Sequence, residues 1–162
     1  TIDDVYSHID RLLYLKDWHQ LFQYLVGYAW RIEQGNERKG FHCHFSFLFN
    51  GSEMSGDVNM GFALMSLWDN EITGCWGETD ICNANKHRYG PGRLGVGYFE
   101  RTDSQGCLNV IEANKYLAKE TQYLRIRPKG RRTFGVGIGP NLADKKGRPS
   151  LKEPTWQYGA GI

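Results

Sequence analysis

The chain has 162 residues, of which 40% are apolar and 23% charged. That is enough for a genuine core in one domain and too apolar for wholesale disorder. The net charge of +2 argues neither for nor against a polyanionic partner, so where the charges fall matters more than their sum. No apolar run approaches a membrane span, and residues 1–10 lack the basic-then-apolar layout of a signal peptide. The expectation is a cytoplasmic protein with no membrane partner.

Ile2, Val5, Tyr6, Ile9, Leu12 and Leu13 fall at helical spacing, with Thr1 or Asp3 available as a cap. The helix is expected to break or bend near Lys16 and Asp17, before a second apolar stretch that ends at Leu25. Tyr28 to Glu33 alternates as a strand, and "QGNERKG" joins it to a second strand in "GFHCHFSFLFNG". Asp57 to Ile72 predicts a helix, and Thr73 to Arg93, with its Gly, Asn and Pro, an irregular loop. "LGVGYFERTD" predicts a strand, "LNVIEANKYLAKETQYL" a helix and "RRTFGVGIG" a last strand. The order α-β-β-α-β-α-β implies an α+β domain over residues 1–140 with a largely antiparallel sheet. Residues 141–162 form a tail, either packed on or loosely ordered. Cys43, Cys75, Cys82 and Cys107 make no CxxC pair. Cys75, Cys82 and His87 match no usual zinc spacing, so reduced thiols are expected.

The second strand is unusual. Alternation puts Phe41, Cys43, Phe45, Phe47 and Phe49 on one face, and His42, His44, Ser46, Leu48 and Asn50 on the other. The preceding strand sorts into Tyr28, Trp30, Ile32 against Ala29, Arg31, Glu33. In an antiparallel hairpin opposed residues share a face. Setting Glu33 opposite His42 also puts Ile32 by Cys43, Trp30 by Phe45 and Tyr28 by Phe47. That register buries the aromatic residues together and gathers Glu33, His42 and His44 on one polar patch. Two imidazoles and a carboxylate suit a divalent metal with positions left open for a substrate oxygen. The competing reading is two surface histidines that happen to alternate.

On the later helix, Val110, Ala113, Leu117 and Leu124 form the core stripe, while Glu112, Tyr116, Lys119 and Tyr123 cluster beside it. Tyr116 and Lys119 are neighbours one turn apart. An ordinary tyrosine, with a pKa near 10, is a poor nucleophile at neutral pH; a close ammonium and a metal would favour its phenolate. The alternative is a pair of tyrosines that border the core with wetted hydroxyls.

An upstream acid, a His-x-His strand and a helix carrying Tyr-x-x-Lys together resemble the HUH endonucleases. "WRIEQGNERKGFHCHFSFLFNG", "NKYLAKETQYLR" and "RRTFGVG" look like the inovirus-type rolling-circle replication-initiator domain of filamentous phages and prophages. The resemblance spans Trp30 to Gly139. It implies that Glu33, His42 and His44 bind Mn²⁺ or Mg²⁺, that Tyr116 is the nucleophile, and that Lys119 is the motif's lysine. It further implies nicking and strand transfer of single-stranded origin DNA, hairpins included, through a 5′-phosphotyrosine link with a free 3′-hydroxyl. A host helicase is the partner that such a role suggests. The chain departs from the family in three ways. It starts directly in a helix where the family fold opens with a strand. Tyr123, the candidate for a second catalytic tyrosine such as some initiators carry, follows Tyr116 by a heptad, wider than the family's paired motif. Cys43 stands where a bulkier apolar residue is common.

Arg125, Arg127, Lys129, Arg131 and Arg132 lie within eight residues after this helix. They could hold backbone phosphates or form a solvated turn. Tyr89, Tyr98, Trp76 and Trp68 could stack bases or serve the core. Two other functions compete: a non-catalytic DNA-binding module with the same fold, and an unrelated His/His/Glu metalloenzyme. A cupin would need a glutamate shortly after its HxH, where Leu48 and Phe49 stand. A two-histidine phosphoesterase would need a second copy of "HFS", and none is present.

Overall fold

The computed structural model describes residues 1–35, 40–90, 92–118, 124 and 128–140. Helix α1 (Ile2–Leu15) starts at Thr1, whose hydroxyl accepts the Asp4 backbone N–H at 3.3 Å, and Asp4 answers as the other half of a capping box. Ile2, Tyr6, Ile9 and Leu12 are its buried stripe. The apolar stretch beyond the bend does not continue as α-helix. It forms only a short 3₁₀ turn, Gln20–Phe22, with the His19 imidazole accepting the Leu21 N–H at 3.2 Å. Chain from Leu25 is already committed to the sheet.

Strands β1 (Leu25–Gln34), β2 (Phe41–Phe49) and β3 (Phe134–Ile138) pair antiparallel in the order β2-β1-β3. The fold is α+β, as the sequence implied. The β1–β2 register is the one expected from the sequence: Glu33 faces His42, Ile32 faces Cys43, Trp30 faces Phe45 and Tyr28 faces Phe47. A bulge at Leu25/Gly27 ends the regular ladder. On β3, Gly135 and Gly137 sit beneath the Trp30 and Tyr28 side chains; a Cβ there would lie 2.4 Å from the Trp30 indole nitrogen and 2.4 Å from the Tyr28 hydroxyl.

One sheet face carries the core. Trp30, Ile32, Phe45, Phe47 and Phe49 pack against Ile2, Tyr6, Ile9 and Leu12 of α1, Phe22 of the 3₁₀ turn, and Leu64, Leu67 and Ile72. Phe45 and Phe47 stack at 5.8 Å, Phe22 tilts on Phe47 at 5.6 Å, and Trp68 on Phe45 at 5.2 Å. Each fully buried side chain of this size contributes about 1.5–3 kcal/mol. Leu64 lies on α2 (Asp57–Ser66), which widens into a π-helical turn, Leu67–Ile72, closed by the Thr73 N–H on the Trp68 carbonyl at 2.9 Å.

The expected irregular loop holds a 3₁₀ stretch, Cys82–Arg88, pinned by buried Asn83 and by Lys86, which both engage Asp57 Oδ2 at 2.8 and 2.7 Å. Burial pulls the Asp57 carboxyl upward, but the bonds from Lys86 and Asn83 outweigh it and hold the group below its ordinary value. "LGVGYFERTD" is not a strand: it keeps only an isolated bridge at Phe99. Two glycines explain this. Gly97 takes φ +123°, outside the extended region, and Gly95 is pressed so closely on Asn109 and Ala113 of the next helix that a Cβ would meet the Asn109 carbonyl at 2.5 Å. That helix, α3 (Ser104–Leu117), begins earlier than the periodicity implied, because the Asp103 carboxylate accepts the Gly106 N–H at 2.9 Å. Val110 and Leu117 are buried on it, whereas Ala113 is exposed. The four cysteines are free, and burial pushes the Cys43 thiol up to about 12.

Candidate active site on the polar sheet face

The period of two that buries Trp30 and Ile32 turns Arg31 and Glu33 to the opposite face, where His42 and His44 of β2 meet them. His44 is the cross-strand neighbour of Arg31, yet its Nε2 reaches Glu33 Oε2 at 3.1 Å. Glu33 keeps only 13% of its side-chain surface, His44 keeps 37%, and His42 is exposed. The second carboxylate oxygen, Glu33 Oε1, is buried with no hydrogen-bond partner among the described residues, and Arg31 Nε stands 4.0 Å away.

Helix α3 descends on this patch with its C-terminal end. Arg31 Nη1 donates to the Leu117 carbonyl at 2.7 Å, a bond buried between sheet and helix. The residue before Leu117 is Tyr116. Its ring meets His44 edge-on, with centroids 6.1 Å apart and planes at 79°. Tyr116 is 44% exposed, so solvent and a substrate can reach it. Two parts of the chain that are remote in sequence thus deliver an imidazole, a carboxylate and a phenol to one place.

The donor types suit a divalent cation that tolerates mixed nitrogen and oxygen ligands, and among the described residues Glu33 Oε1 accepts no hydrogen bond. The convergence is incomplete: among the described residues no three His, Cys, Asp or Glu side chains gather closely enough to hold a metal ion. His44 spends its Nε2 on Glu33, and His42 stands outside that pair.

The other anticipated residues divide. Lys119, Tyr123, Arg125, Arg127 and the 141–162 tail lie outside the described residues. Lys129 and Arg132 are exposed. Arg131 is engaged with α1: it donates to Asp10 Oδ2 at 2.8 Å and to the Tyr6 carbonyl at 3.3 Å, and covers the Tyr6 ring at 4.4 Å. Of the aromatic residues that could stack bases, Trp68 is packed between Phe45 and His8, while Trp76 (93%) and Tyr98 (54%) are exposed. A cleft of about 940 Å³ runs along the outer side of β2, bounded by α1, Trp68 and the segment from Thr73 to Asp80. It is lined by His42 and His44 of the patch but by neither Glu33 nor Tyr116, so cleft and patch overlap at the two histidines.

Sequence reasoning passed over Arg31. Strand parity already placed it on the polar face, but no local pattern announces that a distant helix ends on its guanidinium. No family model matches this chain, and no curated protein or solved structure shows a significant match.

Proposed function

We propose that this protein is a metal-dependent endonuclease of the HUH type, which nicks single-stranded DNA and transfers the strand, with Tyr116 as nucleophile. The reading rests on one observation: the Tyr116 ring lies against His44, which is itself bonded to Glu33. In the reaction the Tyr116 oxygen attacks phosphorus and a P–O tyrosyl bond forms. The bond from phosphorus to the 3′ oxygen breaks, the proton lost by the phenol is balanced by one gained at that 3′ oxygen, and the 5′ phosphate stays on the enzyme. Return of the 3′ oxygen, or of another one, reverses the exchange without an external energy source. Glu33, His42 and His44 would hold Mn²⁺ or Mg²⁺ only once the His44–Glu33 pair opened and His42 joined it; the ion would then polarise the scissile phosphate. The protein's own part is to set the phenol against His44 at the end of α3 and to keep it open to substrate. The exposed Lys129 and Arg132 offer charge for the DNA backbone. The role in a rolling-circle origin and the recruitment of a helicase belong to the same proposal.

The test is mass spectrometry of the covalent product after incubation with Mn²⁺ and a panel of single-stranded and hairpin oligonucleotides. A phosphotyrosine adduct mapped to Tyr116 is expected, and Tyr116→Phe should reduce adduct formation by at least about 10³-fold. An adduct that survives in Tyr116→Phe would remove Tyr116 from the mechanism. One observation favours a second reading, a non-catalytic DNA-binding module: His44 Nε2 pairs with Glu33 Oε2 at 3.1 Å, and among the described residues no third ligand joins them. That reading expects salt-sensitive DNA binding and no adduct with any oligonucleotide.

A further inference from the structure

Arg31 is buried, with 8% of its side-chain surface accessible, and sits where the sheet, the end of α3 and the Glu33 carboxylate meet. A buried cation is costly unless its charge and donors are used, and three features show how this one is used. Its Nη1 bonds the Leu117 carbonyl at 2.7 Å. The last carbonyls of a helix have no partner within it, and a positive group there is favoured by the helix dipole. Its Nε faces Glu33 Oε1 at 4.0 Å, an ionic contact beyond hydrogen-bond range. Its cross-strand neighbour is His44, the residue on which Tyr116 rests.

We propose that Arg31 is a positioning residue, which ties the nucleophile-bearing end of α3 to the strand that carries Glu33 and so fixes the phenol relative to the histidine–glutamate patch. The proposal rests on the endonuclease reading for its catalytic consequence, but the tether is a property of the fold and can be measured alone. The guanidinium is suited to this task because it is planar, always charged and offers several donors in a fixed fork, so that one group can bond the helix end while its charge faces the carboxylate. A lysine keeps the charge but, as a compact ammonium on a flexible stem, does not hold the helix end and the carboxylate in that geometry. An error of about 1 Å at such a distance from the chemistry can cost about 100-fold in rate.

Arg31→Lys and Arg31→Met test this, read by thermal melting, by the NMR contact between the Tyr116 and His44 rings, by oligonucleotide affinity and by adduct rate with Mn²⁺. In folded Arg31→Lys the ring contact is expected to weaken and the adduct rate to fall about 10- to 100-fold, with DNA affinity within twofold of wild type. Arg31→Met should lose at least as much. A rate within twofold of wild type in either folded variant overturns the proposal, as does an unchanged ring contact. If neither variant folds, Arg31 is a folding residue and the positioning role falls. If wild-type protein forms no adduct, the endonuclease reading fails on its own, and the ring contact in Arg31→Lys still decides the tether.

Discussion

The two faces of the same three-stranded sheet are built on opposite economies. One face is roofed by α1, α2 and the π-helical turn, with Ile32 at 0% and Phe47 at 2% exposure. The other holds Arg31, Glu33, His42 and His44 and receives from α3 an end rather than a flank. The first face holds the molecule together, and the second carries the side chains on which the proposed chemistry rests. The lesson is that a single period of two can sort an apolar core and a polar cluster onto opposite sides of one strand pair. A change of one residue in β1 or β2 therefore tests one role with little effect on the other.

The largest effect is expected from Phe47→Ala. It removes a buried ring that stacks on Phe45 and touches Phe22, and should cost about 3–5 kcal/mol in chemical denaturation. A loss below about 1 kcal/mol would mean that the roofed face is not the source of stability.

A smaller effect comes from the polar node on the roofed side. Asp57→Asn weakens the bonds from Lys86 and Asn83 and should cost about 1 kcal/mol at pH 7, discounted because Lys86 is partly exposed. The folded carboxyl is held below its ordinary 3.8. Its contribution is thus complete above that pH and disappears as pH falls through the lower folded value. The stability gap between wild type and Asp57→Asn should close below about pH 3.8 in acid titrations followed by circular dichroism. A gap that instead widened there would reverse the assigned sign.

The smallest effect on stability belongs to the open face. His44→Ala removes a partly exposed pair with Glu33 and should change the unfolding free energy by about 0.5 kcal/mol or less, while adduct formation drops severely. Equal losses in stability and adduct would erase the contrast between the faces.

Much of this division was legible in the residues. The aromatic alternation of β2 excludes a one-residue slip against β1, and the register that pairs Trp30 with Phe45 is the one found. Helical spacing identified α1 and most of α3, and put Tyr116 beside the core stripe rather than in it. What the residues did not disclose depends on contacts distant in the chain. "LGVGYFERTD" alternates like a strand, but Gly95 is flattened against α3 and Gly97 turns the backbone out of the extended region. The approach of α3 to Arg31 depends on a bond between residues on opposite halves of the chain. Arg131 belonged to a basic run in sequence, yet it is Asp10 and Tyr6 of the first helix that receive it.

The glycines of β3 lead to a practical conclusion for anyone who would stabilise this protein. Propensity alone recommends replacing Gly135 and Gly137 with valine or threonine, since glycine is a weak strand former. Here the bare backbone is the seat for the Trp30 and Tyr28 rings, and a branched side chain would strike them. The strand that looks easiest to improve is the one whose improvement would unseat its neighbour.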